Sequence, residues 1–365
     1  IYNKGGWDTA MLFDSHPDSD SIEVPRNITE ENFGAIRIAS SPEMSTVSEF
    51  FQQHSDKVAI VNGVTVGSIS HTKCEQMFFT GSRKSNAPDY SSIIAKHQGT
   101  TQPLPYVILS GPRITGDLGS IVTNVDSVFS EIILPRDPVH QIPHQEISDF
   151  LFSESQNSEQ LLVQEYNSSL ERRVALNNWA DLFEINGDLN PEQQLEMVIQ
   201  LFAEDITQSA LVQINPPPFH YWDTHNGNDP IQAGCYNHLF GHLNRLIELL
   251  STTSDSSGNS LLETTTVLVI SEMGRMPVYN ISNGKDHWPY TSLMLFGAGV
   301  RNGEVFGRTD DTLISTEVSM ETGEASENGT ILTAENLIAG LLQSIGIDPV
   351  EYLGEVEPFS ACFSG

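Results

Sequence analysis

The chain has 365 residues, 38% of them hydrophobic and 18% charged, with 17 lysines and arginines against 48 aspartates and glutamates. A net charge of −31 repels a polyanion, so a nucleic-acid partner bound by a broad basic surface is excluded. No apolar run approaches the ~20 residues of a membrane-spanning helix, and the composition is that of a globular chain rather than a disordered or fibrous one.

Apolar strand-like runs alternate with segments of helical period. "KVAIVNGV" (57–64) reads as a buried strand. "HTKCEQMFFTG" (71–81) reads as a helix ending at Gly81, with Thr72 and Glu75 spaced for a capping box. "DYSSIIAKHQG" predicts a second helix and "PLPYVILSG" a second strand. A long helical region covers roughly 144–208, restarted at Asn190-Pro191. "ALVQINP" (210–216) predicts a strand that runs into the polar loop "FHYWDTHNGN" (219–228). "IQAGCYNHLFGHLNRLIELL" (231–250) has apolar residues at helical spacing. "TTTVLVISE" (264–272) is a continuous run rich in β-branched residues, the pattern of a strand buried on both faces. "TSLMLFGAGV" predicts a further strand and "TAENLIAGLLQSIGI" (333–347) a closing helix. This alternation predicts one α/β domain over residues 1–365, a mostly parallel central sheet with helices on both faces. Ligands of such folds sit beyond the carboxyl ends of the strands.

The unusual polar residues fall at those ends. Asp8 lies in "GGWD" (5–8), Asp223 and His225 in "WDTH" (222–225), and Glu272 and Arg275 in "SEMGR" (271–275). Asp286 and His287 follow in "GKDHWP" (284–289). Carboxylates and imidazoles without a thiolate suit one or two divalent ions, zinc, manganese, calcium or magnesium. In an extended D-x-H both side chains point the same way, because residues i and i+2 share a side. The bland reading is also open: each motif by itself fits a capped turn or a structural pair such as Glu272 with Arg275. His140 and His144 read as loop and helix-start residues, and His238 and His242, four apart on a helix, as structural. Cys74, Cys235 and Cys362 are too few for a disulfide framework, and at most one bridge is expected.

The order "GGWD … SHTKCEQMFFTG … YWDTH … VLVISEMGR … GKDHWPYTSLMLFGAGVRNGEVFG" resembles, over nearly the whole chain, the exported bacterial family catalogued as domain of unknown function 1501. That family is similar to the alkaline phosphatase and sulfatase superfamily, which carries a two-metal site on an α/β sheet. The resemblance implies that Asp223, His225 and His287 hold one ion, and that Asp8 and Glu272 hold another together with the residue at the nucleophile position. Counting back ten residues from Gly81 puts His71 there, where a Ser, Thr or Cys is expected, with Ser70 and Thr72 on either side. His71 is therefore a ligand, a nucleophile or the mark of a lost activity, and Thr72 either moves in by a one-residue shift or serves only in the capping box. Met273 occupies a position where phosphatases carry a histidine, so the second ion site is poorer in ligands.

Two functions remain open at this level. The first is a metal-dependent hydrolase of phosphate or sulfate esters, on a small molecule or a polysaccharide, with Arg275 and the helix start near His71 receiving the anion. The second is a non-catalytic secreted protein that keeps the fold and a structural cation for binding or surface assembly. The first residue, Ile1, fits a mature form that has lost an export signal or a fragment, so a bacterial periplasmic or extracellular location is expected.

Overall fold

The computed structural model describes residues 1–125, 176, 188–217 and 222–364. His140, His144 and His220, and most of the helical region expected at 144–208, lie outside them.

The chain folds as a mixed α/β protein. A hairpin, β1 (Thr29–Phe33) and β2 (Ile36–Ser40), precedes helix α1 (Ser45–His54). Strand β3 (Val58–Thr65) leads into α2 (His71–Thr80), followed by α3 (Tyr90–Gln98), β4 (Tyr106–Ile108) and β5 (Val122–Asn124). Helix α4 (Pro191–Ala203) starts where Asn190 and Gln193 close a reciprocal capping box. Then come β6 (Ser209–Leu211), the 25-residue helix α5 (Asn228–Thr252), the single turn α6 (Leu261–Thr264) and β7 (Thr266–Val269). Two short strands, β8 (Gly274–Arg275) and β9 (His287–Trp288), pair beside the long β10 (Tyr290–Gly297). Strand β11 (Glu304–Phe306) and helix α7 (Ala334–Ser344) follow.

Two sheets form the framework. One is parallel, in the order β5-β4-β6. The other is mixed, in the order β11-β3-β10-β7, with β10 antiparallel to both neighbours and β11 parallel to β3. Tyr2 makes parallel bridges to Gln213, just after β6, and to Ile270, just after β7. Its N–H donates to Val212 O and its carbonyl accepts from Ile214 N. The alternation of side chains along β3 and β10 sorts them into two cores. Ala59, Val61, Leu293 and Leu295 pack with Phe78, Phe79, Ile93 and Leu337 of α2, α3 and α7. Val58, Ile60, Met294 and Phe296 pack with Phe50, Leu195 and Phe240 of α1, α4 and α5. Both faces are therefore covered by helices. Strand β7 departs from the expectation of complete burial: Val267 and Val269 are buried, while Thr266 and Leu268 are partly covered.

Helix α2 also differs from its expected start. Ser70 stands at the N-cap with no side-chain cap bond, and Thr72 is exposed one residue inside. Glu75 does not reach back to the helix start; its carboxylate accepts from Tyr2 Oη at 2.7 Å and pairs with Lys4 at 2.9 Å. A tertiary partner has displaced the local cap. The other end follows expectation, with Gly81 left-handed at φ 63°. All three cysteines are free and buried. Among the described residues no helix is long and apolar enough to cross a membrane.

Candidate metal centre

The strand order brings the polar motifs to one edge. Thr65 at the end of β3 pairs with Tyr290 at the start of β10, so His71, beyond the first, and His287, before the second, approach each other. The segments after Tyr2 and after β7 leave the sheet side by side. Gly5 is at φ 124°, and a Cβ there would stand 2.5 Å from Asp223 N, so only glycine lets the "GGWD" and "WDTH" loops touch. Gly284 does the same against His225, where a Cβ would stand 2.0 Å from the carbonyl carbon.

Asp223 is the centre of the cluster. Its Oδ1 lies 3.1 Å from His225 Nε2 and 3.2 Å from His287 Nε2, and its Oδ2 lies 3.4 Å from His71 Nε2. The two imidazole nitrogens of His225 and His287 are 3.0 Å apart. Each ring is held from behind. His71 Nδ1 is 2.6 Å from Glu272 Oε1, His225 Nδ1 is 2.9 Å from Asp286 Oδ1, and His287 Nδ1 is 2.7 Å from Ile69 O. A carboxylate or a carbonyl can only accept, so each Nδ1 carries a proton; a neutral ring then has a lone pair on Nε2 to offer inward, while a protonated ring donates to Asp223 there as well. Two lone pairs 3.0 Å apart repel unless a proton or a cation lies between them.

The donor set fits an ion. Ligand bonds of 2.0–2.1 Å in a tetrahedron place neighbouring donors about 3.3 Å apart. The triangle of Asp223 Oδ1, His225 Nε2 and His287 Nε2 has sides of 3.1, 3.2 and 3.0 Å. Donor atoms of His71, Asp223 and His287 also lie within 4.8 Å of one another. A proton held from behind by a carboxylate or carbonyl is the arrangement that orients a histidine ligand. Without an ion, positive groups gather on the carboxylate instead. Burial raises the pKa of Asp223, but hydrogen bonds from His287, His71 and Arg275 outweigh it and hold the carboxyl well below the usual range. In return Asp223 and Glu272 push His71 up to about 9.

The remaining predicted residues have other partners. Asp8 is buried, and its Oδ2 takes Lys285 Nζ at 2.8 Å and Asn228 Nδ2 at 2.8 Å. Glu272 accepts both His71 and the Gly5 N–H at 2.9 Å. A lysine ammonium thus neutralises Asp8. Asp286 is exposed and bonds the far nitrogen of His225, so it orients a ligand rather than joining the inner triangle. Arg275, expected as the receiver of a substrate anion, is fully buried. Its Nε donates to Gly6 O at 2.8 Å, its Nη1 to Lys285 O at 3.0 Å, and its Nη2 to Gly5 O and to Asp223 Oδ1, the latter at 2.7 Å. It clamps the loops and positions Asp223. Thr72 is exposed beside His71.

Lys285, Asn228 and Asn280 were not singled out by sequence. Asn280 Nδ2 reaches His225 O at 3.0 Å and Asp286 Oδ1 at 3.1 Å. The signal for Lys285 was its place in "GKDHWP", a lysine beside two candidate ligands in a chain poor in cations.

No curated protein matches the chain. A family model does, across residues 1–128 and 197–357, which takes in every element that builds the site. The chain belongs to the family described as Protein of unknown function (DUF1501).

Proposed function

We propose that the chain is a metal-dependent hydrolase of phosphate or sulfate esters, a single-domain member of the alkaline phosphatase and sulfatase superfamily exported by a bacterium. The observation that supports it is the set of three imidazoles, His71, His225 and His287. Each has Nδ1 tied to an acceptor and Nε2 turned to Asp223. Asp223, His225 and His287 would hold the ion, with His71 at its open side. Imidazole donors favour zinc over manganese, calcium or magnesium. Since Asp8 is neutralised by Lys285, one ion is the expected number. When bound, such an ion polarises an ester oxygen and acidifies water.

The protein's own groups do the rest. Glu272 fixes the His71 tautomer, so that Nε2 faces the opening as a ligand, base or nucleophile. Helix α2 begins at His71, and its first-turn amides and dipole favour a tetrahedral anion. Arg275 keeps Asp223 in place from within. The acidic surface opposes anionic substrates, so capture depends on this local positive spot, which favours a neutral polymer bearing few ester groups.

The test is turnover of an aryl phosphate and an aryl sulfate by chelator-stripped protein, with zinc or manganese restored. Metal-dependent turnover that His71→Ala abolishes supports the hydrolase. The second reading, a non-catalytic secreted protein with a structural cation, is favoured by the histidine at the nucleophile position and the buried Arg275. It expects no turnover with any ion and a thermal midpoint lowered by chelator.

A further inference from the structure

Helix α5 carries a second pair of imidazoles. Asn228, at its start, bonds Asp8. His238 and His242 lie about 15 and 21 Å farther along the axis, at 1.5 Å per residue. Four residues apart, they share one face. Their Nε2 atoms approach to 3.2 Å, with ring centroids 4.5 Å apart and planes at 84°. Both are half-buried beside the apolar stripe of Tyr236, Leu239, Phe240 and Leu243 that faces the core.

The geometry that suits a hydrogen bond between these rings suits a shared ion as well. The separation of 3.2 Å matches the edge of about 3.3 Å between two nitrogen ligands of one tetrahedral ion. The surroundings also keep both rings neutral, the state in which either a hydrogen bond or a shared ion can join them. Burial lowers the pKa of both rings, and the neighbouring His242 lowers His238 further, to about 4. Neutral imidazoles are the ligand form. The facing helix α4 supplies Glu192, whose negative charge acts on His242 in the opposite sense. Glu196 of the same helix is paired with Arg245, which also holds Glu248, whereas Glu192 has no ion-pair partner among the described residues. An ion at the two nitrogens would give Glu192 a cation to face.

We propose that His238 and His242 form a second metal site, a two-imidazole clamp for a borderline divalent ion such as zinc, nickel or copper, with Glu192 as counter-charge and water completing the shell. The ion would link two turns of α5 beside its seam with α4. Calcium and magnesium, which prefer oxygen ligands, would not compete.

The experiment uses the full chain stripped with chelator, titrated with nickel by calorimetry and counted by equilibrium dialysis at neutral pH. The wild type is expected to show two separable binding steps. His238→Gln and His242→Gln should each remove the same step or weaken it at least tenfold, leaving the other intact, while Asp223→Ala should remove the other. Unfolding midpoints of the metal-free variants, close to wild type, establish that each is folded; two independent variants keep the test open if one is not. Loss of a step in the histidine variants but none in Asp223→Ala would sink the proposed function and leave this site standing. Unchanged number and affinity of steps in both histidine variants would overturn the clamp.

Discussion

Asp8 and Asp223 lie on loops that touch through Gly5, yet they meet opposite fates. Asp8 is wholly buried and is neutralised by a lysine of its own chain. Asp223 keeps 29% of its side chain exposed and faces the Nε2 atoms of three imidazoles. The first charge is closed off by a cation that belongs to the same chain. The second, on the proposed function, would be completed by a cation from the medium. Asp89 is a third case: it is buried against Ser92 N and Tyr106 Oη, with neutral donors alone. Burial then dominates and pushes its pKa up to about 6. One residue type thus serves as ligand, internal ion pair or reluctant acid, according to what stands opposite.

The comparison can be broken at each member. The largest effect is expected at Asp223. Asp223→Ala should abolish binding at this centre and reduce turnover by roughly 10³-fold, since a bound ion contributes several kcal/mol to the transition state. Retained metal, measured by elemental analysis, together with a second step still present in the nickel titration, would remove Asp223 from the centre.

Next comes Lys285→Met, which leaves Asp8 buried without a cation. It should cost about 3–5 kcal/mol in urea unfolding, and the double variant with Asp8→Asn should recover most of it. A double variant no better than the single one would mean that the ammonium matters for packing and not for charge.

Asp89 makes the pH arm. Its folded pKa lies above its unfolded value, so the native state binds more protons between pH ~4 and ~6, and stability falls as pH rises through that window. The shift from 3.8 to about 6 corresponds to on the order of 2–3 kcal/mol. Asp89→Asn, which keeps an N-cap acceptor, should therefore gain on the wild type between pH 4 and pH 7 by about that amount. Parallel stability curves for the two proteins would contradict it.

The smallest effect belongs to Asp286→Ala. As an orienting partner of His225, its loss should weaken metal affinity by about 10–100-fold without abolishing it. A loss as complete as that of Asp223→Ala would make Asp286 a direct ligand after all.

The sequence made the inner cluster legible because its members sit in short motifs at strand ends. D-x-H placed Asp223 and His225 on one side, and the count from Gly81 put His71 at a helix start, where it is found. Partners across loops were not legible. Whether Asp8 faces an ion or Lys285 depends on two segments 277 residues apart in number, 8 and 285, meeting in a buried space. Arg275 reads as an anion receiver from its chemistry alone, and only the carbonyls of Gly5, Gly6 and Lys285 around it reveal a clamp. The capping box at Thr72 and Glu75 had the right spacing, but Tyr2 and Lys4 offered Glu75 buried and charged partners that a local pattern does not contain. Strand alternation in β3 and β10 was readable; the antiparallel setting of β10 was not, since a buried run looks the same in either direction.

The bridges of Tyr2 have a consequence for how the protein is made. Residues 1–3 bond to neighbours near 212–214 and 268–270, with Ile1 N reaching Leu268 O across 267 positions of sequence. On a ribosome this segment must wait until residues 212–214 are made for one flank and 268–270 for the other. Pairing over such separations carries a large loop-closure cost and is slow. During that wait its unpaired backbone is an open edge for any other strand, from this molecule or another. Removing the first three residues should therefore change how much protein matures, measured as soluble yield during synthesis, more than the few contacts they make would suggest.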